Sequence, residues 1–137
     1  MAIPIVKEAE INVKRLITGL ALSMLLSSGT ANADWGDVYY CKMTNYVKIE
    51  LDGEFKKYAL DKFQLKIDQA KKSIVFGKGG FFSNSVKPLV EDRYWPKQDS
   101  WNAYSKYSAL YLHEGKFLYS MIGTRSLVSI SADCDKF

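Results

Sequence analysis

Phe63-Gln64-Leu65-Lys66-Ile67-Asp68 alternates apolar and polar residues with a period of two, and Val47-Lys48-Ile49-Glu50-Leu51-Asp52 does the same. A strand turns successive side chains to opposite faces, so each segment offers one face to a core and one to water. Working outward, tight turns are expected at Asp52-Gly53 with Glu54, at Asp68 to Lys71 and at Glu114-Gly115. Folding at Asp68 to Lys71 sets Leu65 opposite Ile74 and Phe63 opposite Phe76. Folding at Glu114-Gly115 sets Leu112 opposite Phe117 and Leu110 opposite Tyr119, so apolar meets apolar in both hairpins. Strands are expected near 37–44, 46–51, 55–59, 62–68, 72–77, 86–94, 108–113, 116–122 and 126–134, with no long helix among them. The fold class is all-β: a small antiparallel meander that hides its apolar face by closing into a barrel or by folding into a two-sheet sandwich.

Two cysteines lie near the ends of this meander. Counting in twos from Cys41 reaches Met43, then Val47, Ile49 and Leu51, and counting back from Cys134 reaches Ala132, Ile130 and Val128. Both cysteines therefore fall on the apolar faces of their strands, and a disulfide forms if the terminal strands are neighbours. The rival reading, a free nucleophilic thiol, wants a histidine and a polarised setting, and the pattern favours the bridge.

The first 33 residues read as a helical signal peptide. Lys14 and Arg15 precede an apolar run from Leu16 to Leu26, and Ala31-Asn32-Ala33 supplies small residues at the cleavage positions. Eleven residues make a helix of roughly 16 Å, against an apolar bilayer core of about 30 Å, so a retained span is disfavoured. Cleavage after Ala33 leaves residues 34–137 as one domain, periplasmic or secreted, with no stable insertion in the membrane. Export also puts Cys41 and Cys134 where a disulfide persists.

Residues 34–137 carry 16 Lys plus Arg and 13 Asp plus Glu, a net charge of +3. Lys56, Lys57, Lys62, Lys66, Lys71, Lys72 and Lys78 are interleaved with Glu54, Asp61 and Asp68, the pattern of solvated strand faces. A nucleic-acid module would gather its positive charge on one surface, and no nucleic-acid partner is expected.

The segment Arg93 to Tyr107 breaks the meander with turn formers and five large rings: Tyr94, Trp95, Trp101, Tyr104 and Tyr107. Such a loop can be a contact surface, because rings bury much area at low entropic cost and Tyr and Trp carry a polar tip. It can equally plug the end of a barrel, and the small size of the domain favours the plug. Trp95, ahead of Pro96 at a strand end, is expected buried, and Trp101, between Ser100 and Asn102, more exposed.

Catalytic patterns are sparse. The one histidine, His113, stands beside the Glu114-Gly115 turn and should face Lys116 across the hairpin, the setting of an incidental surface histidine. A triad of His113 with Asp92 or Asp99 and a serine has no sequence motif behind it, since no G-x-S-x-G run occurs. A histidine-based metal site lacks a second histidine, and a cysteine site is closed if the two cysteines pair. Gly77-Lys78-Gly79-Gly80 leads into Phe81-Phe82-Ser83-Asn84 rather than into a helix N-terminus, so it reads as a turn and not as a phosphate cradle. Glu91 and Asp92, adjacent in an extended stretch, point to opposite faces and form no acid and base pair. No cofactor is expected.

The segments Ser73-Ile74-Val75-Phe76-Gly77-Lys78-Gly79-Gly80-Phe81-Phe82 and Ser129-Ile130-Ser131-Ala132-Asp133-Cys134-Asp135-Lys136-Phe137 resemble those of small exported proteins of unknown function from marine bacteria. The resemblance spans most of residues 34–137 and implies no activity. Three readings of different class follow. The first is a non-catalytic module that binds a small ligand or envelope component. The second is an inhibitor or structural module that docks a protein partner through the aromatic segment 93–107, and the third a hydrolase using His113. A deep apolar cavity, a filled barrel with exposed Trp95 and Trp101, or a cleft joining His113 to a carboxylate and a serine separates them.

Overall fold

The period-two segments become strands of a single antiparallel sheet in the computed structural model, which describes residues 34–137; the expected signal peptide over 1–33 lies outside the described residues. The strands are β1 (Val38–Glu50), β2 (Phe55–Lys57), β3 (Lys62–Asp68), β4 (Ser73–Phe76), β5 (Val86–Pro88), β6 (Ser100–Ser105), β7 (Ser108–His113), β8 (Lys116–Ile122) and β9 (Ser126–Lys136). Their order, β5-β4-β3-β1-β9-β8-β7-β6, is an up-and-down meander whose two terminal strands adjoin, with β2 paired to β1 off the main path. The remaining seam is closed by an isolated bridge between Leu89 and Ala103 and by the Val90 N–H donating to the Asn102 carbonyl at 2.9 Å. The result is a nearly closed barrel, and the sandwich alternative falls away.

The hairpin at Glu114-Gly115 has the expected register, with Leu112 opposite Phe117 and Leu110 opposite Tyr119. Both turn residues have positive φ (47° and 76°), the backbone a tight two-residue hairpin demands. Gly115 is also sterically required. A Cβ there would lie 2.7 Å from the carbonyl oxygen of Cys134, whose own N–H donates to the Gly115 carbonyl at 2.7 Å.

The other hairpin is displaced by two residues: Leu65 faces Phe76 and Ile67 faces Ile74, with Asp68 opposite Ser73. Lys72 takes a left-handed conformation (φ 44°), and the Lys71 N–H donates to the Asp68 carboxylate at 2.9 Å, so the turn spans Gln69 to Lys72. A slip of two preserves the faces, and Leu65, Ile67, Ile74 and Phe76 are all buried. The stretch expected as a strand over 86–94 pairs regularly only at Val86–Pro88, because the chain turns at Asp92 (φ 61°).

A larger correction falls in β1. Met43 pairs with Ala132, but Asn45 pairs with Ser131 and Tyr46 with Ile130, so Thr44 is the extra residue of a β-bulge. One inserted residue flips every later side chain to the other face. Tyr46 now stands opposite inward-facing Ile130, whereas Val47 and Ile49 stand opposite outward-facing Ser129 and Leu127. Val47 stays covered, but Ile49 is exposed and Leu51, beyond the strand, is 76% exposed.

The interior is solid. Phe82, carried inward by the turn that follows Gly77-Lys78-Gly79-Gly80, stacks on Phe76 at 4.5 Å and lies 4.9 Å from both Phe63 and Tyr119. That glycine run is thus a turn: the Asn84 N–H donates to the Gly77 carbonyl at 2.9 Å, and no helix follows.

Cys41 and Cys134 face each other across β1 and β9 with their sulfurs 2.02 Å apart, a bonded pair compatible with an oxidising, extracytoplasmic location. Among the described residues no helix is long and apolar enough to cross a membrane. The bridge joins residues 93 apart, and closing so long a loop removes about 4 to 5 kcal/mol of unfolded-state entropy in the chain-entropy model. Reduction and alkylation should lower the unfolding free energy by about that amount, measured in urea. Alkylation without reductant should leave the intact mass unchanged; two alkyl groups on the native protein would disprove the bond.

Candidate functional site

Alternation on β6 to β9 decides what each ring of the 93–107 segment does. This segment is not one loop. It contains a single 3₁₀ turn at Pro96–Gln98 and then β6, which the Ser- and Asn-containing sequence Ser100-Trp101-Asn102-Ala103-Tyr104-Ser105 concealed. Trp101 and Ala103 stand opposite inward-facing Leu112 and Leu110, so Trp101 is 0% exposed, contrary to expectation. Trp95 bridges to Ser100, which stands opposite His113 on the outer side, and is 49% exposed, again the reverse of the expectation.

Two groups of rings result. Tyr94 stacks on Trp101 at 6.0 Å, and Trp35 meets both edge-on at 5.3 and 5.2 Å, sealing one part of the core. Beside them the buried Tyr39 hydroxyl donates to the Asp99 carboxylate at 2.5 Å. Burial, then this hydrogen bond, pushes the Tyr39 phenol well above its ordinary range. The Trp101 indole N–H reaches toward the same oxygen without completing a well-aligned hydrogen bond. Tyr104 and Tyr107 are the second group: both are exposed, Tyr107 by 59%.

Tyr104 lies on the outer face of β6, opposite Ala109, and there it meets residues that sequence reading missed. Tyr111 and Leu118 are paired on the same face of β7 and β8, and both are exposed. The signal was present: if Leu110 and Leu112 point inward, Tyr111 points outward, and if Phe117 and Tyr119 point inward, so does Leu118 outward. Between the rings Ala109 faces Ser120 and Ser120 faces Ser129, a row of short side chains. Tyr104, Tyr111, Leu118, Asn102, Ser120 and Ser129 line a cleft of about 340 Å³, and none of its lining residues is charged. Asn102 is oriented by its amide nitrogen, which donates to the Arg93 carbonyl at 3.0 Å.

A larger trough of about 530 Å³ lies at one end of the sheet. There Ile122, Leu127, Ile49 and Phe55 stand opposite one another in turn, an exposed apolar row that exists because the bulge at Thr44 turned Ile49 outward. Glu50 and Arg125 also border it. It offers aliphatic contact bordered by one acidic and one basic side chain.

His113 stacks on Tyr111 at 5.7 Å, and its Nε2 lies 3.9 Å from the Glu114 carboxylate. It faces Lys116 and Ser100 in the ladders, while Asp99 is engaged by Tyr39. Its Nδ1 is buried without a hydrogen-bond partner, so neither nitrogen links a carboxylate to a serine. Among the described residues no group of three His, Cys, Asp or Glu side chains is placed to hold a metal ion.

Comparison of the chain with protein-family models, curated proteins and solved structures gives no match, and the site is read from its own chemistry.

Trp101→Ala should cost about 3 to 5 kcal/mol of stability and Trp95→Ala no more than about 0.5 kcal/mol, measured by denaturant unfolding. Equal losses would place both rings in the plug. Tyr39 also makes stability pH-dependent. Its folded pKa is raised above the unfolded value of about 10, so its contribution is complete below about pH 10 and is lost as pH rises further. Burial raises Tyr119 and Tyr46 in the same direction. Tyr39→Phe should flatten the alkaline decline of the melting temperature; an unchanged slope would assign that decline elsewhere.

Proposed function

We propose that this chain is an exported, non-catalytic binding module that works in the periplasm or outside the cell and contacts its ligand with the outer face of β6 to β9. One observation carries the reading. The barrel interior is filled by rings, while Tyr104, Tyr111 and Leu118 stand exposed around an uncharged cleft. A small domain gains stability by burying such rings, and leaving several on one sheet face marks a contact surface. Of the rings expected to bind, Tyr104 lines this cleft, Tyr107 is exposed outside it, Tyr94 and Trp101 belong to the core, and Trp95 is a separate exposed ring.

Export is supported by the Lys14 to Ala33 pattern, by the resemblance to exported proteins, and by the bonded cysteine pair. A second reading, docking of a protein partner, is favoured by the apolar row of Ile122, Leu127, Ile49 and Phe55. It no longer rests on a loop over 93–107.

The test is amide chemical-shift mapping of the ¹⁵N-labelled protein against fractionated envelope and extracellular components of the producing cells. Shifts are expected to gather on 102–104, 109–111, 118–120 and 129. Shifts confined to Ile49, Ile122 and Leu127 would overturn the assignment in favour of docking, and chemical turnover of a component would overturn the non-catalytic reading.

A further inference from the structure

Resting on that binding face, we propose that its ligand is a neutral carbohydrate, a chain of uncharged pyranose rings lying across β7, β8 and β9. The ladders define a trough. Its floor is the row Ala109, Ser120 and Ser129, one wall is Tyr111 with Leu118, and Tyr104 stands at the head of the row, opposite Ala109.

Chemistry narrows the occupant. A phosphate, sulfate or carboxylate would seek a lysine or arginine, and a cationic ligand would seek a carboxylate, but the cleft is lined by neither. A purely apolar ligand would strip water from Ser120, Ser129 and Asn102 without replacing its hydrogen bonds. A peptide that binds by strand addition pairs with a sheet edge, whereas β7, β8 and β9 are each paired on both sides and the trough runs across them. A neutral polyol with an apolar face matches both the rings and the hydroxyls of the lining. Pyranose C–H faces pack on rings such as Tyr111 and Tyr104, and sugar hydroxyls exchange hydrogen bonds with serine hydroxyls and the Asn102 carbonyl oxygen. The trough lies on an open sheet face, so a long chain can pass through it.

The experiment is affinity electrophoresis of the full chain as exported, in gels containing soluble neutral glucans, mannans, xylans or galactans, with alginate as the anionic control. At least one neutral polymer should retard the protein. Tyr111→Ala, and Ser120→Leu, which fills the floor, should each weaken that retardation at least tenfold, with melting temperature held as the check on folding, and Trp95→Ala should leave it unchanged. Retardation by none of the neutral polymers, equal retardation by alginate, or indifference to Tyr111→Ala would overturn the proposal. Shift mapping separates the two readings: envelope components that move residues 109–111 and 118–120 while all neutral glycans fail would sink the carbohydrate and keep the face. A glycan that binds but moves only residues elsewhere would sink both.

Discussion

Pairing of the first strand with the last is the contact from which the rest of this barrel follows. β1 and β9 match residue for residue from Tyr39 with Lys136 to Glu50 with Ser126, interrupted only at Thr44. Such a pairing of distant segments is expensive in loop entropy, and it is the step that converts a flat meander into a closed surface. The disulfide lies inside it, between two residues that the ladder already places opposite one another. The opposite seam, where β5 nears β6, has only the Leu89–Ala103 bridge and a neighbouring hydrogen bond. The barrel is therefore held strongly on one side and lightly on the other.

How much of this could be read from the chain depends on how local the cause is. The strands at 62–68, 108–113 and 116–122 follow from alternation alone, and the Glu114-Gly115 hairpin follows from turn chemistry. Cys41 and Cys134 were legible because Cys41 precedes the bulge and shares its face with Met43, where parity still holds. The outward turn of Ile49 was not, although β1 carries a mark of it: counting in twos from Met43 puts polar Asn45 on the apolar face, and the bulge at Thr44 resolves that break. The two tryptophans also exchanged roles. Their neighbours, Pro96 for one and Ser100 and Asn102 for the other, say less about burial than the side of the sheet each opposing residue occupies.

The candidate face shows the same division. Its exposed tyrosines could be found from the inward parity of Leu110, Leu112, Phe117 and Tyr119 once the strands were known. The serine floor could not, since Ser120 and Ser129 become a row only through the register of β8 against β9. A filled interior and a contact face on the exterior are linked. Phe82 and Trp101 occupy the space in which other barrels of this size hold a ligand, and the contact proposed above falls on the outside.

The placement of the disulfide also fixes how the domain carries mechanical load. Tension applied between Asp34 and Phe137 passes from β1 to β9 through the two sulfurs and bypasses everything between them. Only residues 34–40 and 135–137 can be drawn out, ten residues that reach about 35 Å when fully extended. Everything from Cys41 to Cys134, the tyrosine face included, lies outside the line of force, so a domain tethered at one end and gripped at the other would keep its surface shape while it is pulled.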